Sequence, residues 1–382
     1  MNFGFPADLE SLQREFRKQL AGADRRAVLD AADPCAVADA GLWQRLASNG
    51  WLATSIPEDC GGSGLDPRAL CLLAEEAGRQ LVAVPFVASA CGFVQALRLA
   101  ATAPGADVAR VASSQLWSGL ADGSARGVLL ADDCWSQPLQ LLECARGGIE
   151  VSGLARHVPD GPSATHAMAL AGQAADCRLV ILTLDAASRD AATAPPLDLL
   201  HPCCDLQFER RPAVVLARGD AARAAWDDAL YAQALFVAFE QLGGAEAALE
   251  AARGYSLQRY AFGRAIGSFQ ALKHLMVDML VAVDLARSNC YFGAAALAVG
   301  GEVLAEAAAV ARISATDAFR ACAIGSTQIH GAFGVTWEAD CHLYYRRAQA
   351  LAGSPGSLRS WKERLVQLLR QRAAVEASPR AA

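Results

Sequence analysis

Apolar residues recur every three or four positions along two long stretches of the chain, and fall into short separate runs in the stretch between them. The first helical stretch covers about residues 9–114 and is broken by turns. Asp39 precedes apolar Leu42, Trp43 and Leu46, which predicts a helix that stops at Gly50. Residues 57–64, Pro-Glu-Asp-Cys-Gly-Gly-Ser-Gly, form a glycine-rich loop. Asp66 then caps a new helix with Pro67 at its first position, running through Leu70, Leu73 and Ala77 toward Gly78.

Within about residues 118–218, apolar runs at 127–130, 148–151, 179–184 and 214–216 are separated by Gly, Pro and Asp clusters, which predicts a small β domain. Pro195, Pro196, Pro202 and Pro212 suit loops or edge strands. From about residue 219 to 372 helical periods return. Phe269, Leu272, Met276, Met279, Val283 and Ala286 form one apolar stripe. A further helix is predicted over 303–328, ending near Gly331, and residues 373–382 read as a frayed tail. The class is α+β, with a helical domain at 1–117, a β domain at 118–218, a helical bundle at 219–372 and a tail at 373–382.

Composition narrows the function. In 382 residues, 53% are apolar and 19% charged, so a disordered chain is excluded. A net charge of -6 argues against a general nucleic-acid or anionic-membrane binder. The 12 cysteines contain no Cys-x-x-Cys spacing, so free buried thiols are expected and no metal site. No uncharged apolar stretch is long enough for a membrane span, and the first 16 residues lack the apolar run of a secretory signal. A soluble, cytoplasmic protein is expected.

Several motifs then stand out together. Residues 42–52 (Leu-Trp-Gln-Arg-Leu-Ala-Ser-Asn-Gly-Trp-Leu), 56–65 and Glu75-Glu76-Ala77-Gly78-Arg79 lie in the first stretch. Tyr255-Ser-Leu-Gln-Arg259-Tyr-Ala-Phe262-Gly263, Ile266-Gly-Ser-Phe269-Gln270 with His274, and Gln328-Ile329-His-Gly331-Ala332-Phe-Gly334 lie in the last. In order and spacing they resemble the acyl-CoA dehydrogenase family. That resemblance implies an N-terminal helical domain, a small middle β domain and a C-terminal four-helix bundle, with FAD as cofactor and an acyl-CoA as substrate. It implies that Arg259, Phe262, Phe269, Gln270, Gln328, Ile329, Gly331 and Ala332 contact the adenine and pyrophosphate half of an FAD held mainly by a neighbouring subunit. An arginine fork suits a pyrophosphate, and a glycine turn lets the main chain approach closely. Ala332 stands where a glycine is usual.

The chemistry of that family needs a carboxylate base to take the α-proton of a thioester. Matching Arg346-Arg347-Ala348-Gln349 to the family's stretch before the base puts Pro355 at the base position, which has no ionisable group. The alternative position, on the helix before Tyr255, is Gln233, an amide without useful basicity, followed by Ala234 where a substrate-side Arg is common. Asp227, Asp228 and Glu240 nearby read as helix-end or surface acids. In the β domain, residues 130–138 lack the family's Gly-Ser-Asp, and Gly153-Leu-Ala-Arg-His157-Val-Pro159 carries His and Pro where Trp and Thr are usual. His157 reads as a surface or strand histidine. These losses fall together, while the residues that reach a partner's FAD remain. The pattern resembles a base-lacking subunit of a heteromeric dehydrogenase of the steroid side-chain type, in which a second family member completes an α2β2 heterotetramer. Two alternatives stay open: a homotetrameric dehydrogenase with a relocated base among Asp227, Asp228, Glu240 and Glu338, and a flavin oxidase, monooxygenase or lyase on the same fold.

Overall fold

The computed structural model describes residues 4–21, 28–29, 39–104, 114–131, 139–143, 148–173, 176–190 and 197–377. Helices α1 (Ala7–Leu20), α2 (Ala40–Ser48) and α3 (Arg68–Gln80) open the chain, followed by a π-helical segment (Phe86–Phe93), α4 (Val94–Thr102) and α5 (Ser114–Asp122). The Asp39 carboxylate accepts from Leu42 N at 2.8 Å, so α2 starts at the predicted cap, and Gly50 turns left-handed just beyond its end. At α3 the predicted boundary shifts by one residue: Asp66 accepts from Arg68 N at 2.8 Å, and Pro67 stands at the N-cap.

A sheet follows, made of β1 (Gly127–Leu129), β2 (Gln140–Glu143), β3 (Ile149–Pro159), β4 (His166–Ala171), β5 (Arg178–Thr183), β6 (Arg189–Asp190) and β7 (Cys203–Arg218). Its order is β1-β4-β5-β7-β3-β2, with β6 also on β7, and only the β1–β4 pair is parallel. The four predicted runs lie in β1, β3, β5 and β7. The pattern missed β2, β4 and β6. Pro212 meets the expectation of an edge position within β7: it lies opposite Glu150, just past Ala213 where pairing with β5 stops. One side of the strand is unpaired there, so the missing N–H costs no ladder bond. Pro195 and Pro196 lie outside the described residues, as do residues 132–138.

The remainder is helical: α6 (Gly219–Gln258), a short hairpin β8 (Tyr260–Ala261) and β9 (Arg264–Ala265), α7 (Gln270–Ala296), α8 (Gly301–His330), α9 (Cys341–Gly353) and α10 (Leu358–Ala377). The tail expected from 373 is helical as far as Ala377, and residues 378–382 lie outside the description. Met279, Val283 and Ala286 of the α7 stripe are buried as predicted. A second apolar row on α7 was not predicted: Val277, Leu280, Val281 and Leu285 are exposed, Val281 at 61%.

Helix α6 is the axis of the molecule. Residues 232–245 are buried on every side, between α3 and α4 on one flank and α7 and α8 on the other. The α3–α6 crossing works only because of two reciprocal glycines. A Cβ on Gly243 would stand 1.8 Å from the Glu75 carbonyl oxygen, and one on Gly78 would stand 1.9 Å from that of Glu240. Backbone therefore meets backbone, and the side chains either side of the crossing, Glu240 among them, are fixed in height and direction. Gly243→Ala gains about 1 kcal/mol of helix propensity but must push two helices apart, an overpacking cost of about 1–3 kcal/mol or more. A net loss of stability is expected in urea unfolding; an unchanged or higher midpoint would show that the crossing yields freely.

Candidate functional site

A cavity of about 560 Å³ lies where α6 and α9 face residues 82–88 and the β3 end of the sheet. Both positions where the family motif would carry a base, Gln233 and Pro355, line it. Gln233 is buried, with its Oε1 against Gly92, where an added Cβ would stand 1.4 Å away. Pro355 belongs to the turn after α9, which is held from two sides. Trp361 Nε1 of α10 donates to its carbonyl at 2.6 Å. Arg312 of α8, wholly buried, donates to the carbonyls of Leu351 and Ser354, to Gln241 Oε1 at 2.7 Å and to Thr316. Burial pulls the Arg312 pKa down to about 9, outweighing the opposing pull of Glu240.

A buried ionic network closes one end of the cavity. Arg347 of α9 donates to Asp198 Oδ2 at 2.8 Å and to Glu240 of α6. Burial alone would discharge Arg347; Glu240 and Asp198 outweigh it, and its pKa is raised. Glu240 thus corrects the expectation of a helix-end or surface acid: it is 4% exposed, because α6 is buried all round at that height and Arg347 lies opposite. Beside it, His201 Nδ1 meets Asp160 Oδ1 at 2.8 Å while Nε2 meets the Val82 carbonyl at 2.7 Å. A carbonyl can only accept, so Nε2 carries hydrogen, and Nδ1 and the carboxylate share one further proton. Burial and Arg347 oppose the His201 charge, yet Asp160 raises its pKa overall; burial would raise Asp160, and His201 lowers it overall.

The β3 wall is irregular. Pairing with β7 slips between Ala155 and Val158, and this bulge throws Arg156 and His157 toward the cavity mouth. His157 has φ 54°, is exposed as expected, and receives Cys203 Sγ at 3.5 Å from Nε2. Burial, then Asp160, Asp198 and Asp205, push the Cys203 thiol up to about 11, so it is no nucleophile. Asp227 and Asp228 are half-buried and Glu338 is exposed; none of the three lines the cavity. Of the four candidates for a relocated base, Glu240 alone reaches it, bound to Arg347.

The residues assigned to an FAD adenine and pyrophosphate half lie elsewhere, around the end of α6 and α8. Arg259 follows α6 and is exposed. Phe262, at the β8–β9 turn, is 93% exposed and meets the half-buried Phe269 edge to face, while the Arg264 guanidinium lies 4.0 Å over the Phe269 ring. Gln270 opens α7, and Gln328 sits in the last turn of α8; both are exposed. Gly331 ends α8 at φ 61°, ψ −138°, with nothing within 4 Å of where a Cβ would be, and Ala332 beside it is exposed. Ile329 points inward and is buried, so its side chain is core. Tyr255, one turn before Arg259, stacks on His330 at 4.3 Å and ties the two groups together. These exposed donors and the open glycine turn fit a dinucleotide's pyrophosphate end. The hollow against β1, β3 and the Ser354–Gly356 turn is about 70 Å³, far narrower than the main cavity.

Comparison with known proteins now adds to the geometry. Residues 8–103 match the model for the acyl-CoA dehydrogenase N-terminal domain, and residues 224–374 that for the C-terminal domain. IpdE2, an acyl-CoA dehydrogenase of Mycobacterium tuberculosis (strain ATCC 25618 / H37Rv), is 31% identical over 342 residues, 86% of each chain. The chain belongs to the acyl-CoA dehydrogenase family. Acyl-CoA dehydrogenase FadE34 of the same organism is 30% identical over 379 residues, and this chain spans about half its length (48%). Among solved acyl-CoA dehydrogenase structures, a variant of the Tcur3481-Tcur3483 steroid enzyme superposes with a TM-score of 0.83 at 26% identity, covering 96% of this chain and 99% of that one. The ChsE4-ChsE5 complex from Mycobacterium tuberculosis gives 0.84 at 21% identity, covering 97% and 99%, a likeness of fold. Membership carries the α+β fold and the oxidoreductase class with it, in a family dependent on FAD. No described helix is long and apolar enough to cross a membrane.

The network escaped the sequence reading because its members come from five segments, Arg347 standing 107 residues from Glu240 and 149 from Asp198. One signal was available: between 232 and 245 only Gln233, Glu240 and Gln241 are polar, and an acid inside so apolar a run must find a cation. The His201 link has a definite pH signature. Its pKa is raised on folding, so its contribution is full below the unfolded value near 6.5 and fades as pH climbs through the folded value. The Asp160 contribution, from a lowered pKa, fades instead as pH falls below about 3.8. His201→Asn should cost about 3 kcal/mol near pH 6, with the gap to wild type narrowing toward pH 9. Unfolding curves across that range check this, and a gap independent of pH would refute it.

Proposed function

We propose that this chain is a base-lacking subunit of a heteromeric acyl-CoA dehydrogenase that desaturates an acyl-CoA between its α and β carbons. The observation that carries this reading is the pairing of Gln233 and Pro355 on one cavity: each occupies a position where the family motif would hold a carboxylate, and neither can accept a proton. Glu240 does not replace them, because its charge is committed to Arg347. Removal of the α-proton would fall to a carboxylate of a second, family-type subunit. The relatives support a heteromeric setting, since two of the similar structures are named as two-protein enzymes. A steroid-like acyl group is the substrate these names favour.

FAD, when bound, supplies the hydride acceptor of the reaction. This chain's share would be positional. Arg259 would present its fork to the pyrophosphate, with Gln270 and Gln328 beside it and Gly331 allowing close approach by the main chain, while Phe262 would cover the adenine half. The narrow hollow beside β3, with Arg156, His157 and Pro159 at its edge, supports leaving the flavin ring to the partner. The exposed row Val277, Leu280, Val281 and Leu285 on α7 is the kind of surface that a subunit partner covers.

Expression of the chain alone and with a family member encoded beside it tests the reading. The expected result is a chain that is nearly colourless alone, and a yellow complex containing two kinds of subunit. In that complex Arg259→Ala should weaken FAD retention about 10- to 100-fold, the worth of a charged hydrogen-bonded contact. A yellow homotetramer that desaturates an acyl-CoA unaided would overturn it.

A further inference from the structure

The cavity has its own recognition chemistry, independent of any flavin. Gln233, Val237 and Glu240 stand at i, i+4 and i+7 on α6 and all line it, so the amide and the carboxylate are about 10 Å apart along the helix. Gln233 is nine-tenths buried and makes no hydrogen bond among the described residues; its Oε1 is sealed against Gly92, which leaves Nε2 as the group open to the cavity. Two unused N–H donors in a buried place call for an acceptor on an occupant. Val82, Val84, Val87 and Val237 give the span between the polar ends an apolar lining. At the far end, Asp160 and Glu240 each commit one oxygen, to His201 and to Arg347. Their second oxygens are not sealed without a partner, and both side chains line the cavity.

Charge decides what those oxygens receive. Asp160, Asp198 and Glu240 are matched by Arg347, the nearby Arg312 and the proton that His201 shares with Asp160, so an added ammonium would unbalance the group while a neutral hydroxyl would not. We propose that this cavity binds an apolar ligand with a carbonyl at the Gln233 end and a hydroxyl at the Glu240–Asp160 end, and that the chain holds it without turning it over. Its volume of about 560 Å³ lies within the range of small-molecule sites. Retention without reaction follows from the amide and the proline where a base would stand.

The test uses the full-length chain without flavin or partner, so it stands apart from the heteromeric reading. Calorimetric titration compares 4′-hydroxybiphenyl-4-carboxamide with biphenyl-4-carboxamide, identical but for the hydroxyl. The hydroxylated probe should bind roughly tenfold tighter, as a hydrogen bond to a charged acceptor implies. Gln233→Leu, which breaks no hydrogen bond within the protein, should weaken both probes several-fold and keep their ratio. Val237→Trp should fill the cavity and abolish both; should that variant fail to fold, the probe pair and Gln233→Leu decide. Equal affinity for the two probes, no binding of either, or undiminished binding to folded Val237→Trp would each overturn the proposal.

Discussion

Arg347 lies between Asp198 and Glu240 with almost no water to share its charge, and much of the molecule is arranged around that fact. An unpaired guanidinium in such a place would cost several kcal/mol, so both carboxylates have to arrive at the same point. Glu240 arrives because the glycine crossing of α3 and α6 fixes its height. Asp198 arrives from the segment that leads into β7, and its other oxygen accepts from Leu200 N at 3.0 Å, which shapes the approach of His201. Helix α9 cannot slide without breaking the set, and the Ser354–Gly356 turn that follows is placed by the same anchor and by Arg312.

The network therefore ties the core that the N-terminal helices share with α6, α7 and α8 to the separate core of the sheet. His201 reaches the Val82 carbonyl of the N-terminal helices and Asp160 of the sheet; Arg347 reaches α6. Apolar packing inside each part is generous but has no direction, whereas these bonds are short and angular. They set how the parts face one another, and so they set the width of the cavity that opens between them.

Much of the fold was legible because helices and buried strands write their period locally. The Asp39 cap, the end of α8 at Gly331 and the runs in β1, β3, β5 and β7 all came from neighbours in sequence. Strand β4 did not, since His-Ala-Met-Ala-Leu-Ala reads by propensity as helix; burial between β1 and β5 overrides that preference. The second face of α7 was hidden by the first, because a helix apolar on two sides shows one stripe to a search for a single core. At the site, Gln233 and Pro355 were found through motif spacing, and the structure adds that both look onto one cavity. Glu240, His201 and Asp160 could not be found that way: a buried ion pair between distant segments leaves no spacing to read.

What the geometry keeps and what it lacks are physically distinct. A surface that presents Arg259, Gln328 and an open Gly331 needs only donors and access, and survives any change inside the cleft. A catalytic base needs an ionisable oxygen, raised in pKa and free of cations. The one carboxylate of α6 that reaches this cleft fails on the second count, since it is paired with Arg347. Loosening Glu240 for chemistry would strand Arg347 as an unmatched buried charge. The interaction that gives the cleft its shape is thus also what bars its nearest acid from acting as the base.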